Sequence, residues 1–344
     1  MTKNRPRFVK TKITVAAIVI LLAMTVTYFL YPPANPSITW PAGKTFAFTI
    51  IDDTDMSTLE NVQPIYELMD ELGLKTTKTV WVLPTNDSTE PVNLGHTMRD
   101  SAYAAFVIDL QHKGFEIALH GARGGDSKRP EIVAALEEFR QTFGKYPDIH
   151  INHFLNKDDV YWGEDKLSVA PYRWLYRWSS NGTQFYGNDP TSEYFWGDLL
   201  QEHISYVVNF SFFEINLLNV NPSMPYHNPD KPYVNYWFHT SDGGLPESFV
   251  ALLSSENLDR LESEGGLCLV YTHFGKEFYN DGRIDQEVAQ CLRDVASRNG
   301  WFVPANQILD FLRDRFPEYH ELSFREQVRL ETIWMWEKLI HGSS

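Results

Sequence analysis

The sequence predicts an α/β fold: a distorted or incomplete parallel (β/α)7-type barrel carrying an N-terminal transmembrane helix. Three observations predict it. From residue 44 onward, short apolar runs alternate with amphipathic stretches at roughly 30 residues per unit, the pattern of parallel strands joined by crossover helices. About seven such units can be counted, which suits a barrel better than two separate domains. Residues 13–30, ITVAAIVILLAMTVTYFL, contain no charge and are long enough to cross a bilayer.

The elements follow in order. Residues 1–12 form a basic tail with Lys3, Arg5, Arg7, Lys10 and Lys12 and no acid. Basic residues before the apolar run and none directly after it place the N-terminus in the cytoplasm. A cleaved signal peptide is the alternative. Against it stand the length of the run and the lack of an A-x-A-like site. The Pro-rich stretch 31–43 reads as a linker. The domain at 44–344 then lies outside the cytoplasm, on a single-pass membrane protein.

Within that domain, TFAFTII (45–51) reads as a buried strand and 58–74 as an amphipathic helix. TKTVWVL (77–83) is a strand and 98–114 a helix. FEIAL (115–119) is a strand, and 129–144 a helix with Pro130 in its first turn. DIHIN (148–152) is a short strand. Residues 157–245 are aromatic, rich in Asn and Pro, and poor in long helical periodicity, so they read as long loops on one face. Two strands, 204–210 and 234–238, stand out within them. Regularity returns with a helix at 256–265, a strand at 266–272, a helix at 283–300, the strand WFV, a helix at 305–316 and an amphipathic tail.

Composition narrows the function. The chain has 344 residues, 43% of them hydrophobic, and a net charge of −15. The first 36 residues hold five of the 30 basic residues and no acid, leaving 25 basic against 45 acidic side chains, a net of −20. Such a surface repels phosphate backbones, so nucleic acid is not an expected partner. Cys268 and Cys291 fit either a disulfide or two buried thiols.

The polar residues gather where the strands end. FAFTII closes in Asp52, Asp53 and Asp55, and His120 follows FEIAL. His153 and Asn156 follow DIHIN, His239 and Asp242 follow VNYWF, and His273 follows CLVYT. In a βα barrel the residues after the strands meet at one mouth, where catalysis occurs. Carboxylates crowded at a strand end need compensation, and a divalent metal, zinc foremost, supplies it. Such an ion activates water, a second carboxylate can take its proton, and a remote His can protonate a leaving group. His150 and His153 face opposite ways on a regular strand, so only one belongs to the site, and His153 lies nearer the strand end. Asp55 fits equally a helix N-cap or a turn.

Here the sequence resembles the polysaccharide deacetylase (NodB-homology) family. TIIDDTD resembles its Asp-Asp motif, GFEIALHGARGG (114–125) the first His of its H-x-x-x-H metal motif, and LVYTHF (269–274) its late strand-ending His. The resemblance implies Asp52 as base, Asp53 and His120 as metal ligands, and His273 as general acid. It implies deacetylation of an N- or O-acetylated surface or envelope glycan. Two departures stand out. The second metal His falls on Gly124, and no Arg-Pro-Pro-Tyr-type segment is evident. HINHFLNKDDVYWG (150–163) occupies that place and offers His153 as the third ligand, or Asn156. Asn156, Arg123, Trp162, Trp196 and His239 are the candidate sugar contacts. The two Trp answer equally to core packing, and Arg123 to a surface pair with an acid such as Asp126.

Three rivals remain open. Asp53-Thr54-Asp55-Met56-Ser57 approximates the start of a haloacid-dehalogenase-type phosphatase, but no late acidic pair follows a strand. A two-carboxylate glycoside hydrolase is the second. The third is a membrane-anchored glycan-binding or assembly factor on a decayed barrel, which Gly124 favours.

Overall fold

The computed structural model describes residues 38–154, 156–179, 184–316 and 318–341, together with Leu22. The segment read as transmembrane, apart from Leu22, lies outside the described residues, as do the basic tail and most of the linker. Among the described residues no helix is long and apolar enough to cross a membrane.

Seven parallel strands close into a ring: β1 (Phe46–Asp52), β2 (Thr77–Val80), β3 (Glu116–Leu119), β4 (Ile149–His150), β5 (Tyr206–Phe212), β6 (Tyr236–Asp242) and β7 (Leu267–Thr272). Closure comes from β1 and β7, aligned from Ala47↔Leu267 to Asp52↔Thr272. The other side of β1 is shared. Its last residues meet β2, at Ile51↔Thr77 and Asp52↔Lys78. Its first residues meet β10 (Gly300–Phe302), at Phe46↔Gly300 through Phe48↔Phe302. That split seam is the distortion. β4 contributes only two residues to the wall, and just beyond it the Asn152 side chain pins the loop that follows. Its Oδ1 accepts from Val160 N at 3.0 Å and its Nδ2 donates to Val160 O at 3.0 Å. A small hairpin, β8 (Tyr279–Asn280) with β9 (Arg283–Ile284), follows β7.

The helices are α1 (Leu59–Glu71), α2 (Ser101–His112), α3 (Arg129–Phe143), α4 (Ala170–Ser179), α5 (Gly197–His203), α6 (Leu217–Val220), α7 (Pro246–Leu252), α8 (Ser255–Ser263), α9 (Gln286–Ala296), α10 (Ala305–Arg313) and α11 (Phe324–His341). Local signals set several ends. Thr58 and Asn61 form a capping box at α1, and Asp285 accepts from Glu287 N and Val288 N at α9. Gly144 closes α3 at φ 79°, a left-handed position that glycine tolerates.

The middle of the chain is more regular than its sequence suggests. Helices α4, α5 and α6 lie inside the stretch read as loops, and β5 and β6 run on to Phe212 and Asp242. The cap of α4 explains why it was hidden. Glu331 of α11 accepts from Ser168 N at 2.6 Å and Val169 N at 3.0 Å, from 162 or more residues away. Trp334 of the same helix packs on Phe210 of β5, ring centroids 4.8 Å apart. Cys268 and Cys291 are both free and buried.

One buried acid gives the barrel a pH-dependent stability. Glu116, at the start of β3, accepts from Thr77 Oγ1 at 2.7 Å and Asn306 N at 3.1 Å, while its other oxygen has no partner. Burial pushes its carboxyl up from 4.5 to about 8, against the pull of those two donors. The folded chain therefore keeps a proton that the unfolded chain releases, and stability falls as pH rises from 4.5 towards 8. Glu116→Gln stays neutral throughout. It should be more stable than wild type by on the order of 1–3 kcal/mol near pH 8.5, with no gain near pH 4. Urea unfolding at both pH values checks this, and an equal effect at both would contradict it.

Candidate metal centre

The centre begins where β1 stops. Asp53 N donates to Thr272 O at 2.9 Å, continuing the β1–β7 ladder for one more bond. The chain then turns sharply. Thr54 N donates to Thr79 Oγ1 at 3.1 Å, Ser57 N donates to Thr54 O at 3.0 Å, and Met56 sits at φ 55°. This turn sends the three carboxylates to different neighbours.

Asp52 is buried against Lys78, at 2.9 Å with neither side chain exposed. It also accepts from Tyr66 OH at 3.1 Å and Phe274 N at 2.8 Å. Both its oxygens are thus committed to holding β1, β2, α1 and the turn after β7 together. Burial raises its pKa, and Lys78 opposes that rise. Asp52, expected as the base, thus has its carboxylate engaged in a buried ion pair.

Asp55 is the carboxylate that meets the histidines. Its Oδ1 lies 3.0 Å from His120 Nε2 and 3.5 Å from His153 Nδ1. Those two ring nitrogens are 3.2 Å apart. One ligating atom from each of Asp55, His120 and His153, all buried, lies within 4.8 Å of the others. Burial opposes ionisation of Asp55, but the His120 hydrogen bond and the surrounding rings hold its carboxyl well below the usual range.

Asp53 stands behind this set. Its Oδ1 is 3.9 Å from His120 Nδ1, and neither atom has a hydrogen-bond partner. Burial, partly offset by His120, pushes its carboxyl up to about 7. The sequence reading gave Asp53 the ligand's place. In the structure it is Asp55 that lies against His120 and His153, and Asp53 faces the outer nitrogen of His120.

The rings are fixed from outside. His153 Nε2 lies 2.7 Å from Asn93 Oδ1, which assigns the proton to Nε2 and leaves Nδ1 bare towards the cluster. Trp81 stacks on His120 at 6.2 Å and meets His153 edge-on at 5.2 Å. A ligand at position 124 has no room, since a Cβ on Gly124 would lie 2.5 Å from Asn93 O. The loop that orients His153 thus occupies the space that a histidine at 124 would need. His150 is separate, bonded to Asn152 at 3.1 Å and packed against Trp196.

His273 closes the cluster from β7. Its Nε2 lies 2.9 Å from Tyr271 OH and 3.5 Å from Asp55 Oδ2, and its Nδ1 lies 3.3 Å from Gly244 O. Burial lowers its pKa to about 4, so the ring is neutral at pH 7. Nδ1–H then donates to Gly244 O, and Nε2 accepts from the tyrosine.

The expected sugar contacts are mostly engaged elsewhere. The buried Asn156 amide accepts from Gly125 N and donates to Arg123 O, bracing the loop after β3. Trp196 is 1% exposed and donates to Asp158 O. His239 is fully buried, bonded to Asn221 and stacked on Phe210. Neither Trp196 nor His239 offers a face to a ligand, so both assignments are corrected to core residues, and Asn156 to a bracing one. Arg123 pairs with Glu131 at 2.8 Å, and Trp162 lies beneath the Lys166 ammonium. Asp55, Asn93, Tyr271 and Lys276 join the site without having been singled out as site residues. Only Asp55 carried a sequence signal, the D-x-D spacing from Asp53.

The residues present fit a divalent ion. One carboxylate and two imidazoles suit zinc. His153 has its lone pair aimed inward, and the unpartnered Asp53 Oδ1 and His120 Nδ1 form a ready outer contact.

No protein-family model and no curated protein matches the chain. Solved structures do. A protein of Mycobacterium smegmatis assigned as a polysaccharide deacetylase is 14% identical, covers 85% of this chain and 98% of its own, and gives a TM-score of 0.47. Puue allantoinase is 12% identical over 85% of this chain and 97% of its own, TM-score 0.48. A protein of Pseudomonas aeruginosa PAO1, also assigned as a polysaccharide deacetylase, is 12% identical over the same shares, TM-score 0.47.

Proposed function

We propose that this chain is a metal-dependent hydrolase that removes N- or O-acetyl groups from an envelope or surface polysaccharide. The observation that carries the proposal is the buried Asp55–His120–His153 set, with the unpartnered Oδ1 of Asp53 and a third imidazole, His273, beside it. The motifs that resemble the polysaccharide deacetylase family support the acetyl group as target. The uncharged run at 13–30 supports an anchored, extracytoplasmic enzyme that meets a glycan outside the cytoplasm.

Asp55, His120 and His153 would hold the ion, with zinc matching the donor set. When bound, it would lower the pKa of a water and polarise the acetyl carbonyl. Asp53 is the positioning partner of His120 in this reading, because its unpartnered Oδ1 faces the outer Nδ1 of that ring. His273 and Tyr271 form the proton-handling pair on the opposite side, the hydroxyl donating into Nε2. Asn93 keeps the Nδ1 of His153 deprotonated towards the ion.

Asp53→Asn should keep the fold and lose about 10–100-fold in metal affinity, and acetate release from an acetylated glycan panel should fall with it. An Asp53→Asn protein with wild-type affinity and turnover would remove Asp53 from that role.

A second reading has one observation in its favour. Lys276 Nζ already sits 3.0 Å from Asp55 Oδ2, so a cation of the chain's own partners the central carboxylate. That suits a glycan-binding or polysaccharide-assembly protein on an inactive barrel.

A further inference from the structure

The Lys276 ammonium is held in place by backbone packing. The turn after β7 lies directly on the turn after β1: a Cβ on Gly275 would stand 2.4 Å from Asp55 O and 2.6 Å from Ser57 N. Asn61 Nδ2 ties the two turns by donating to Met56 O at 3.0 Å and Gly275 O at 3.3 Å. Lys276 N donates to His273 O at 2.9 Å, which starts the lysine next to the imidazole. The side chain is only 18% exposed and ends on Asp55.

The carboxylate is divided as a result. Its Oδ1 faces His120 Nε2 and His153 Nδ1, at 3.0 and 3.5 Å. Its Oδ2 faces Lys276 Nζ and His273 Nε2, at 3.0 and 3.5 Å. An ion seated among Asp55 Oδ1, His120 and His153 would share one carboxylate with a fixed positive charge. Two consequences follow from the charges alone. The ammonium neutralises Asp55 when no ion is bound, so the cluster stays assembled. It also repels an incoming cation and draws electron density from the oxygen that must bind it.

We infer that Lys276 is a positioning residue of the metal centre, which reserves Oδ2 of Asp55, offers the ion Oδ1 alone, and sets a weak, exchangeable affinity. The inference rests on the metal-centre reading proposed above.

Calorimetric titration of Zn²⁺ and Co²⁺ into the full chain, Lys276→Met and Lys276→Arg tests it. Lys276→Met keeps the stem and removes the charge, and should bind either ion about tenfold more tightly or better. Lys276→Arg keeps the charge and should not tighten. Lys276→Gln serves as a second neutral variant should the Met protein misfold, with circular dichroism confirming the fold. Equal or weaker binding in a folded neutral variant overturns this inference and leaves the metal centre standing. Uptake by the neutral variant alone, with none by wild type, supports it in its strongest form. No uptake by either overturns both readings together.

Discussion

Asp55→Asn will lose its metal, and acetate release will go with it. The substitution keeps shape and removes the one carboxylate that faces both ligating rings, at 3.0 Å from His120 and 3.5 Å from His153. Two imidazoles remain, and the Lys276 ammonium 3.0 Å from Oδ2 is left without its counter-charge. Both changes disfavour a cation. Loss of an outer-shell partner costs about 10–100-fold in affinity, so loss of the carboxylate itself should exceed about a hundredfold. Equilibrium dialysis against the ion checks this, with the melting temperature as the control for folding. Full metal content in Asp55→Asn would move the carboxylate ligand back to Asp53.

The second large effect concerns stability. Asp52→Asn should destabilise the fold by about 3–5 kcal/mol, because it leaves the Lys78 ammonium buried without its partner. Lys78→Met should cost less. Burial already raises the Asp52 pKa, so an unpaired Asp52 can take up a proton. The double variant Asp52→Asn/Lys78→Met should recover much of the loss, since no charge is then stranded. Urea unfolding of the four proteins closes the cycle. The folded fraction of Asp52→Asn should retain its metal. A stable Asp52→Asn protein with full metal and no turnover would restore the catalytic role that the motif implies.

These two residues show what was legible in the sequence and what was not. The strand–helix alternation led to the ring of parallel strands, and the strand ends led to His120, His153 and His273, because both follow from periodicity and short range. The assignment among Asp52, Asp53 and Asp55 did not follow from either. It is decided by a turn in which Met56 adopts φ 55°, and by a lysine on the neighbouring strand at the register Asp52↔Lys78. Asn93 was invisible for a similar reason. It lies in a loop between β2 and α2, without pattern, and matters only because folding brings it 2.7 Å from His153. Gly124 was legible as a missing ligand but not as a packed position against Asn93. The helix α4 was hidden because its cap comes from Glu331, far along the chain. Trp196 and His239 were aromatic and polar signals in an irregular stretch, and the fold spends both on the core.

The most direct measurement is the metal content of the purified full chain, after exposure to zinc, cobalt, nickel and iron, beside His120→Ala. The centre described here predicts about one ion per wild-type chain, as three convergent ligands allow, and loss of that ion in the variant. A wild-type chain and a Lys276→Met chain that both take up none of the four metals would contradict it. The barrel would then be a binding or assembly protein in which Lys276 is the cation that partners Asp55.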